Sequence, residues 1–286
     1  MRYEGQMFRP PSEWQSYLLQ ITIGCSHNAC TFCGMFKDKK YRRRELSEIL
    51  EDIDMARKAY SHIEQIFLCD GDAISYPTDD LLTILHKLKE TFPELKEIAT
   101  YAGPKSTLAK SEDELTLLKD AGLTKAYLGV ESGSDEVLKR TCKGVNAAQM
   151  AEAGRRLVHA GMDLYAIILL GLAGKQCSLT HARETAAIIN EIGPAHVPAM
   201  TYMPVPGTPM YRLIEEGRFQ VLTEQEILLE AAELVKNIEV PNLHFTSNHA
   251  SNYVTIEGIL PRDRETILNQ LMTAMNHPTQ RRMRGL

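Results

Sequence analysis

Apolar and polar positions along the chain follow two alternating rhythms. Short runs rich in β-branched, aromatic and aliphatic residues recur near Tyr17–Ile23, Gln65–Cys69, Glu97–Tyr101, Lys125–Val130, Asp163–Leu170 and His196–Tyr202, and read as strands. Between them lie amphipathic stretches that predict helices: Ser47–Tyr60, Thr78–Thr91, Ser111–Ala121, Ala147–Ala160, Leu179–Ile192 and Thr223–Ile238. Leu81, Leu82, Leu85 and Leu88 show the helical spacing in the second of these. Ser111 before Glu114, and Thr223 before Glu226, have the form of capping boxes. Gly122 and Gly161 fall where two helices should end.

Strands alternating with helices predict an α/β fold, a partial (β/α)6 TIM-type barrel with parallel strands and right-handed crossovers. Ala166–Leu170 is a continuous apolar run, as a strand buried on both faces requires. The expected organisation is an N-terminal extension over residues 1–16, the partial barrel over 17–240, and a C-terminal extension over 241–286 that closes the barrel or contacts substrate. Within that extension, Pro241–Gly258 reads as extended and polar, and Pro261–Asn276 as a last helix.

The unusual residues cluster just after the strands. Three cysteines follow the first, Asp70-Gly71-Asp72 the second, Ala102-Gly103-Pro104 the third and Glu131-Ser132-Gly133 the fourth. Gly171-Leu172-Ala173-Gly174 follows the fifth and Pro204-Val205-Pro206-Gly207 the sixth. Barrels of parallel strands build their active sites from these loops.

Composition narrows the reading. Of 286 residues 44% are hydrophobic and 24% charged, the profile of a globular protein. A net charge of −5 argues against a general nucleic-acid binder. The positive charge is local: Lys37, Lys39, Lys40, Arg42, Arg43 and Arg44 form one run, and Arg281, Arg282 and Arg284 lie near the C-terminus. Such runs read first as solvated loop or tail, and second as sites for anionic ligands. No apolar run has the roughly 18 residues that would span a bilayer, and the N-terminus lacks a signal-peptide core, so a cytoplasmic location is expected. In a reducing compartment, three cysteines within nine residues suit a metal site better than disulfides.

Those cysteines lie in Gly24-Cys25-Ser26-His27-Asn28-Ala29-Cys30-Thr31-Phe32-Cys33, a C-x4-C-x2-C spacing. Three thiolates on one loop can hold three irons of a cubane cluster and leave the fourth open to a small molecule. A zinc site is the competing reading, but it wants a fourth ligand. His27 is the nearest, at awkward spacing inside the loop, while Cys69, Cys142 and Cys177 are isolated.

With these residues the chain resembles the radical S-adenosylmethionine (SAM) superfamily, in the branch of the oxygen-independent coproporphyrinogen oxidases, Elongator-like and methylthiotransferase catalytic domains. The resemblance covers roughly Tyr17 to Ile238. The family spacing is C-x3-C-x2-C, so the loop here is one residue longer. The resemblance implies a [4Fe-4S] cluster on Cys25, Cys30 and Cys33, with Phe32 as the aromatic residue before the third cysteine. It implies S-adenosyl-L-methionine as second cofactor, with Asp70-Gly71-Asp72 in the place of a Gly-Gly-Glu segment that takes the amino group. Glu131 and Ser132 would take the ribose hydroxyls, although Ser134 could equally begin a helix as its N-cap. Lys143 would pair with the carboxylate, with Arg155 and Arg156 as alternatives. Leu169 would pack on the adenine beside Gly171–Gly174, and Pro204–Pro209 would shape that pocket through its backbone.

The implied reaction is reductive cleavage of SAM to a 5'-deoxyadenosyl radical that takes hydrogen from a substrate. No flavin or second cluster motif is visible, so an external flavodoxin or ferredoxin type reductant is expected, docked by Lys37–Arg44. The substrate is expected to be a small molecule. The chain shows neither the RNA-binding module of the methylthiotransferases nor an acetyltransferase domain, which makes a nucleic-acid partner unlikely on this reading. A tRNA-modifying enzyme and a non-enzymatic iron–sulfur sensor or carrier stay open as alternatives. His244–Tyr253 reads either as a polar loop and edge strand or as a substrate-recognition strand, and Tyr101 and Tyr202 as substrate contacts or packed rings.

Overall fold

A computed structural model describes residues 1–277; Arg281, Arg282 and Arg284 lie outside the described residues. In chain order the elements are β1 (Tyr17–Gln20), β2 (Thr22–Ile23), β3 (Arg42–Arg43), α1 (Leu46–Ala59), β4 (Gln65–Cys69) and α2 (Thr78–Thr91). Next come β5 (Glu97–Tyr101), α3 (Pro104–Leu108), α4 (Glu112–Asp120), β6 (Leu123–Glu131), α5 (Asp135–Arg140), α6 (Ala147–His159) and β7 (Asp163–Leu170). The chain continues through α7 (Ser178–Ile192), β8 (His196–Thr201), α8 (Pro209–Glu215), α9 (Glu224–Asn237), β9 (Leu243–Thr246), β10 (Glu257–Leu260) and α10 (Arg264–Asn276).

The six predicted strands and six predicted helices are all present. Both capping boxes form: the Ser111 and Thr223 side chains accept from the Glu114 and Glu226 amides, and both glutamates reach back. Gly122 and Gly161 take positive φ at the helix ends. The predicted first strand differs, because it divides. β1 pairs in parallel with β4, while β2 turns aside to pair antiparallel with β3. The basic run is therefore partly strand. The helices α3 and α8 are too short to show a periodic stripe, and both begin with a proline in the first turn.

The contacts divide the chain into two compact units. The first holds Met1–Asn28, Met35–Leu128 and Arg156–Leu164; the second holds Ala29–Gly34, Gly129–Arg155 and the described residues from Tyr165 onward. In the first, β1, β4, β5 and the start of β6 pair in parallel. One face of these strands is an apolar layer under α1, α2 and α4, with Ile53, Ile66, Leu68, Leu85, Ile98 and Leu118 fully buried. On the other face Phe67 meets Tyr101 edge-on at 5.0 Å and Tyr127 at 6.0 Å. Glu13, from the N-terminal extension, is buried there. It accepts from the Tyr127 hydroxyl at 2.5 Å and the Ser16 hydroxyl at 2.6 Å, and pairs with Lys125 at 3.3 Å.

In the second unit β7, β8 and β9 are parallel and β10 runs antiparallel to β9. Val197, Ala199 and Thr201 of β8 are buried, and the alternate His196, Pro198 and Met200 half-buried, the period of a strand with two unlike faces. The helices α7, α9 and α10 pack together on this unit. Gly154 of α6 lets Ile192 approach to 2.8 Å of the place a Cβ would occupy. Among the described residues no helix is long and apolar enough to cross a membrane.

Candidate active site

In the first unit, Asp70-Gly71-Asp72 follows β4 and closes around Cys25. The Asp70 carboxylate accepts from the Gly24 amide at 3.1 Å, and the Gly71 amide donates to the Gly24 carbonyl at 3.1 Å. Asp72 accepts from the Ser26 hydroxyl, the Ser106 hydroxyl at 2.6 Å and the Gly103 amide at 2.7 Å. Both neighbours of Cys25 are thus tied to one turn. Gly71 is needed there because a Cβ would lie 3.0 Å from the Cys25 Cβ and strike the Phe36 ring. Asp70 is fully buried and forms an ion pair with the buried Lys39 at 2.7 Å.

The cysteine loop turns at Asn28. Asn28 takes φ +36°, a region asparagine tolerates better than most residues. Its side-chain amide donates to the Phe36 carbonyl at 2.7 Å, and Lys37 donates to its backbone carbonyl at 2.6 Å. Asn28 thus pins the cysteine loop to the turn that follows it. The basic run does not present six exposed cations. Lys39 is buried against Asp70, Arg44 is buried against Asp52 at 2.8 Å, and Arg42 pairs with Glu4.

Cys30 and Cys33 belong to the second unit. They pack against an apolar cluster that brings together Phe32, Leu169, Leu172, Tyr202, Met210 and Phe219. Phe32 and Leu169, far apart in sequence, share that cluster. The Thr31 amide donates to the Thr141 carbonyl at 2.9 Å, and its carbonyl accepts from the Met210 amide at 3.0 Å. The Pro204–Pro209 turn also serves the cysteine loop: a Cβ on Gly34 would lie 2.7 Å from Val205.

At the end of β6, Glu131 takes φ +63°, a strained conformation for a side-chain-bearing residue. Its carboxylate lies 3.0 Å from the Lys143 ammonium, so two of the expected site residues form one ion pair. A Cβ on Gly129 would run into both groups. Ser132 is fully buried, and its hydroxyl oxygen accepts from the Ser134 amide at 3.0 Å, which shapes the turn. Ser134 itself makes no side-chain cap. The alternatives to Lys143 are engaged elsewhere. Arg155 pairs with Glu152 and Glu191, and Arg156 donates to the Leu108 and Lys110 carbonyls.

Two residues had no signal in the sequence. Glu230 of α9 is fully buried and accepts from the Gly171 amide at 2.7 Å and from Ser178, and it lies 3.0 Å from the His181 Nδ1. Arg140, at the end of α5, donates to the Ala173 carbonyl at 2.7 Å and the Leu172 carbonyl at 3.3 Å. Only their separation from Gly171–Gly174 in the chain hides them.

Of the other candidates, Tyr101 packs its ring on Phe67 and Tyr127. The Tyr202 hydroxyl is buried with no hydrogen-bond partner among the described residues, beside a cavity of about 50 Å3 that Gly171, Pro204, Ile227 and Tyr253 help line. Burial pushes its phenol up to about 12. His244–Tyr253 is not an edge strand at its start, since β9 lies between β8 and β10. Beyond the β8–β9 pairing, side chains replace the missing strand. The Ser251 hydroxyl accepts from the Thr201 amide at 3.2 Å, and the Asn252 amide donates to the Ala199 carbonyl at 2.8 Å.

None of the six cysteines is in a disulfide. Among the described residues, no three His, Cys, Asp or Glu side chains converge as a single metal ion requires. An iron–sulfur cluster does not need that convergence, because each thiolate binds its own iron. Reduced thiols, a turn that a Cβ would obstruct beside Cys25, and an apolar floor under Cys30 and Cys33 fit such a group.

Residues 19–175, more than half of the chain, match the Radical SAM superfamily, and the chain belongs to that superfamily of enzymes. The expected cofactors, a [4Fe-4S] cluster and S-adenosyl-L-methionine, are the superfamily's own. The tRNA-2-methylthio-N(6)-dimethylallyladenosine synthase of Thermus thermophilus is 26% identical over 76% of this chain and 47% of its own length. The heme chaperone HemW of Bacillus subtilis is 22% identical over 77% of this chain and 59% of its own. The chain spans about half the length of the curated relatives it matches. The structure of coproporphyrinogen III oxidase from Escherichia coli superposes with a TM-score of 0.58 at 17% identity, covering 77% of this chain and 52% of that one. That likeness bears out the expected fold class, an α/β partial barrel with parallel strands.

Proposed function

We propose that this chain is a radical SAM enzyme acting on a small-molecule substrate in the cytoplasm. Cys25, Cys30 and Cys33 hold three irons of a [4Fe-4S] cluster. The observation that carries the reading is the closure of Asp70-Gly71-Asp72 on both neighbours of Cys25. When bound and reduced by an external donor, such a cluster would supply the one electron needed for reductive cleavage of SAM, the source of the radical chemistry on the substrate.

The residues of the chain divide the remaining work. Phe32 and the cluster around it exclude water behind Cys30 and Cys33. Gly71 lets the backbone lie close against Cys25 and the Phe36 ring. Glu131 takes the ribose hydroxyls from its strained position, and Lys143 turns its ammonium to the SAM carboxylate while staying beside Glu131. Leu169 faces the adenine from the end of β7. Asp70, Asp72 and Ser132 act through the loops they hold, since their side chains already bond Gly24, Ser26 and Ser134. Electrons come from a flavodoxin or ferredoxin type donor. Its docking uses Lys37, Lys40 and Arg43, the exposed cations of the run that are not in an ion pair with a carboxylate of the first unit.

The test is anaerobic. The protein is reconstituted with iron and sulfide, reduced with dithionite and given SAM, and deoxyadenosine is measured by chromatography. Formation in the wild type and loss in Cys30→Ala support the reading. A full cluster without cleavage favours a sensor or carrier instead. A second reading, modification of a tRNA base, is favoured by the similarity to the tRNA methylthio synthase. Stimulation of deoxyadenosine formation by unmodified tRNA would select it over a small substrate.

A further inference from the structure

The segment Gly171–Gly174 is held by two charged side chains of opposite sign. Gly171 and Gly174 take φ +82° and +76°, and the Gly174 amide donates to the Gly171 carbonyl at 3.1 Å, so the segment is a tight turn after β7. Glu230 binds the amide at its start and Arg140 binds the two carbonyls in its middle. A carboxylate buried between packed helices is unfavourable unless donors surround it. Its neighbours Ala231, Ala232 and Leu234 are apolar, as packing there requires. Glu230 has its donors: the Gly171 amide, the Ser178 hydroxyl and His181 Nδ1, the last two from α7. The Arg140 guanidinium also lies 5.5 Å from the centre of the Phe219 ring, which limits its swing.

We propose that Glu230 and Arg140 are positioning residues that set the affinity for SAM by fixing the backbone of Gly171–Gly174, without touching the cofactor. The inference rests on the reading of that segment as the adenine side of the site. With the amide and two carbonyls fixed by charged partners, the backbone is already in its binding geometry before SAM arrives, and little ordering remains at binding. Removing either partner leaves the turn to sample other conformations. SAM then binds more weakly, while chemistry at saturation is unchanged.

The test uses the reconstituted full chain and the variants Glu230→Ala, Glu230→Gln and Arg140→Gln. Iron content is measured first. SAM binding is then followed by equilibrium dialysis and by the change in the electron paramagnetic resonance spectrum of the reduced cluster, alongside KM and kcat for deoxyadenosine formation. Glu230→Ala should raise the half-saturating SAM concentration about tenfold, with iron content and kcat within about twofold of wild type. Glu230→Gln still accepts from the Gly171 amide and should recover most of that loss. Arg140→Gln should raise half-saturation about threefold to fivefold.

Unchanged half-saturation in Glu230→Ala and Arg140→Gln, both with full iron, overturns the proposal. Should Glu230→Ala not fold, Glu230→Gln and Arg140→Gln decide by the same criterion, and half-saturation unchanged in both again overturns it. Glu131→Ala separates the two levels. If it weakens SAM binding while the positioning variants do not, only the positioning role fails. If Glu131→Ala also binds normally, the underlying placement of SAM is wrong.

Discussion

Cys25 sits in a polar cage, and Cys30 and Cys33 sit on an apolar floor. In the first unit the loop is held by carboxylates: Asp70 on Gly24 and Lys39, and Asp72 on Ser26, Ser106 and Gly103. In the second it is held by packing around Phe32, Leu169 and Tyr202, with two backbone hydrogen bonds at Thr31. The two arrangements fail differently. Apolar packing degrades in proportion to the volume removed, whereas a buried ion pair fails abruptly when one partner is lost.

The largest effect should therefore come from the polar side. Asp70→Ala removes the carboxylate that pairs with the Lys39 ammonium, and should destabilise the protein by about 3–5 kcal/mol in denaturant titrations. The double variant Asp70→Ala with Lys39→Met should recover much of that loss. If the single variant is as stable as wild type, the polar cage is not what holds this loop. Phe32→Ala comes next, with a loss of about 3 kcal/mol or more and faster bleaching of the cluster absorbance in air. Phe32→Leu should fall between it and wild type.

Ser26→Ala removes one donor to Asp72 and should cost about 1 kcal/mol, with a modest fall in iron bound per chain. Tyr202→Phe should have the smallest effect. It deletes a buried hydroxyl with no hydrogen-bond partner among the described residues, so stability should be unchanged or higher by up to about 1 kcal/mol in thermal melts.

Legibility in the sequence follows the same contrast. Local signals were readable: strand β4, strand β5, strand β7 and helix α2 fall on the expected residues, and the capping boxes at Ser111 and Thr223 form. So was the placement of chemistry-bearing residues after strands. What could not be read were polar contacts between residues distant in the chain. Lys39 looked like part of a solvated run, and its burial depends on a carboxylate 31 residues away. Glu13 looked like part of a loose extension, but Tyr127 lies 114 residues further on. Glu230 sits in an ordinary helical pattern, and only the fold brings Gly171 to it. Asp70 and Asp72 were expected at the cofactor because an acidic turn suits an ammonium. In the structure both side chains bond the cysteine loop and its surroundings, a contact with no sign in the sequence.

Cys25, Cys30 and Cys33 are proposed to hold a four-iron cluster with one iron open to SAM. Mössbauer spectroscopy on protein reconstituted with 57Fe, recorded with and without SAM, tests it most directly. One iron of the four should change its isomer shift and quadrupole splitting when SAM is added, and Cys25→Ala should bind no intact cluster. Four irons that all stay unchanged on saturation with SAM, or an intact cluster in Cys25→Ala, would contradict it.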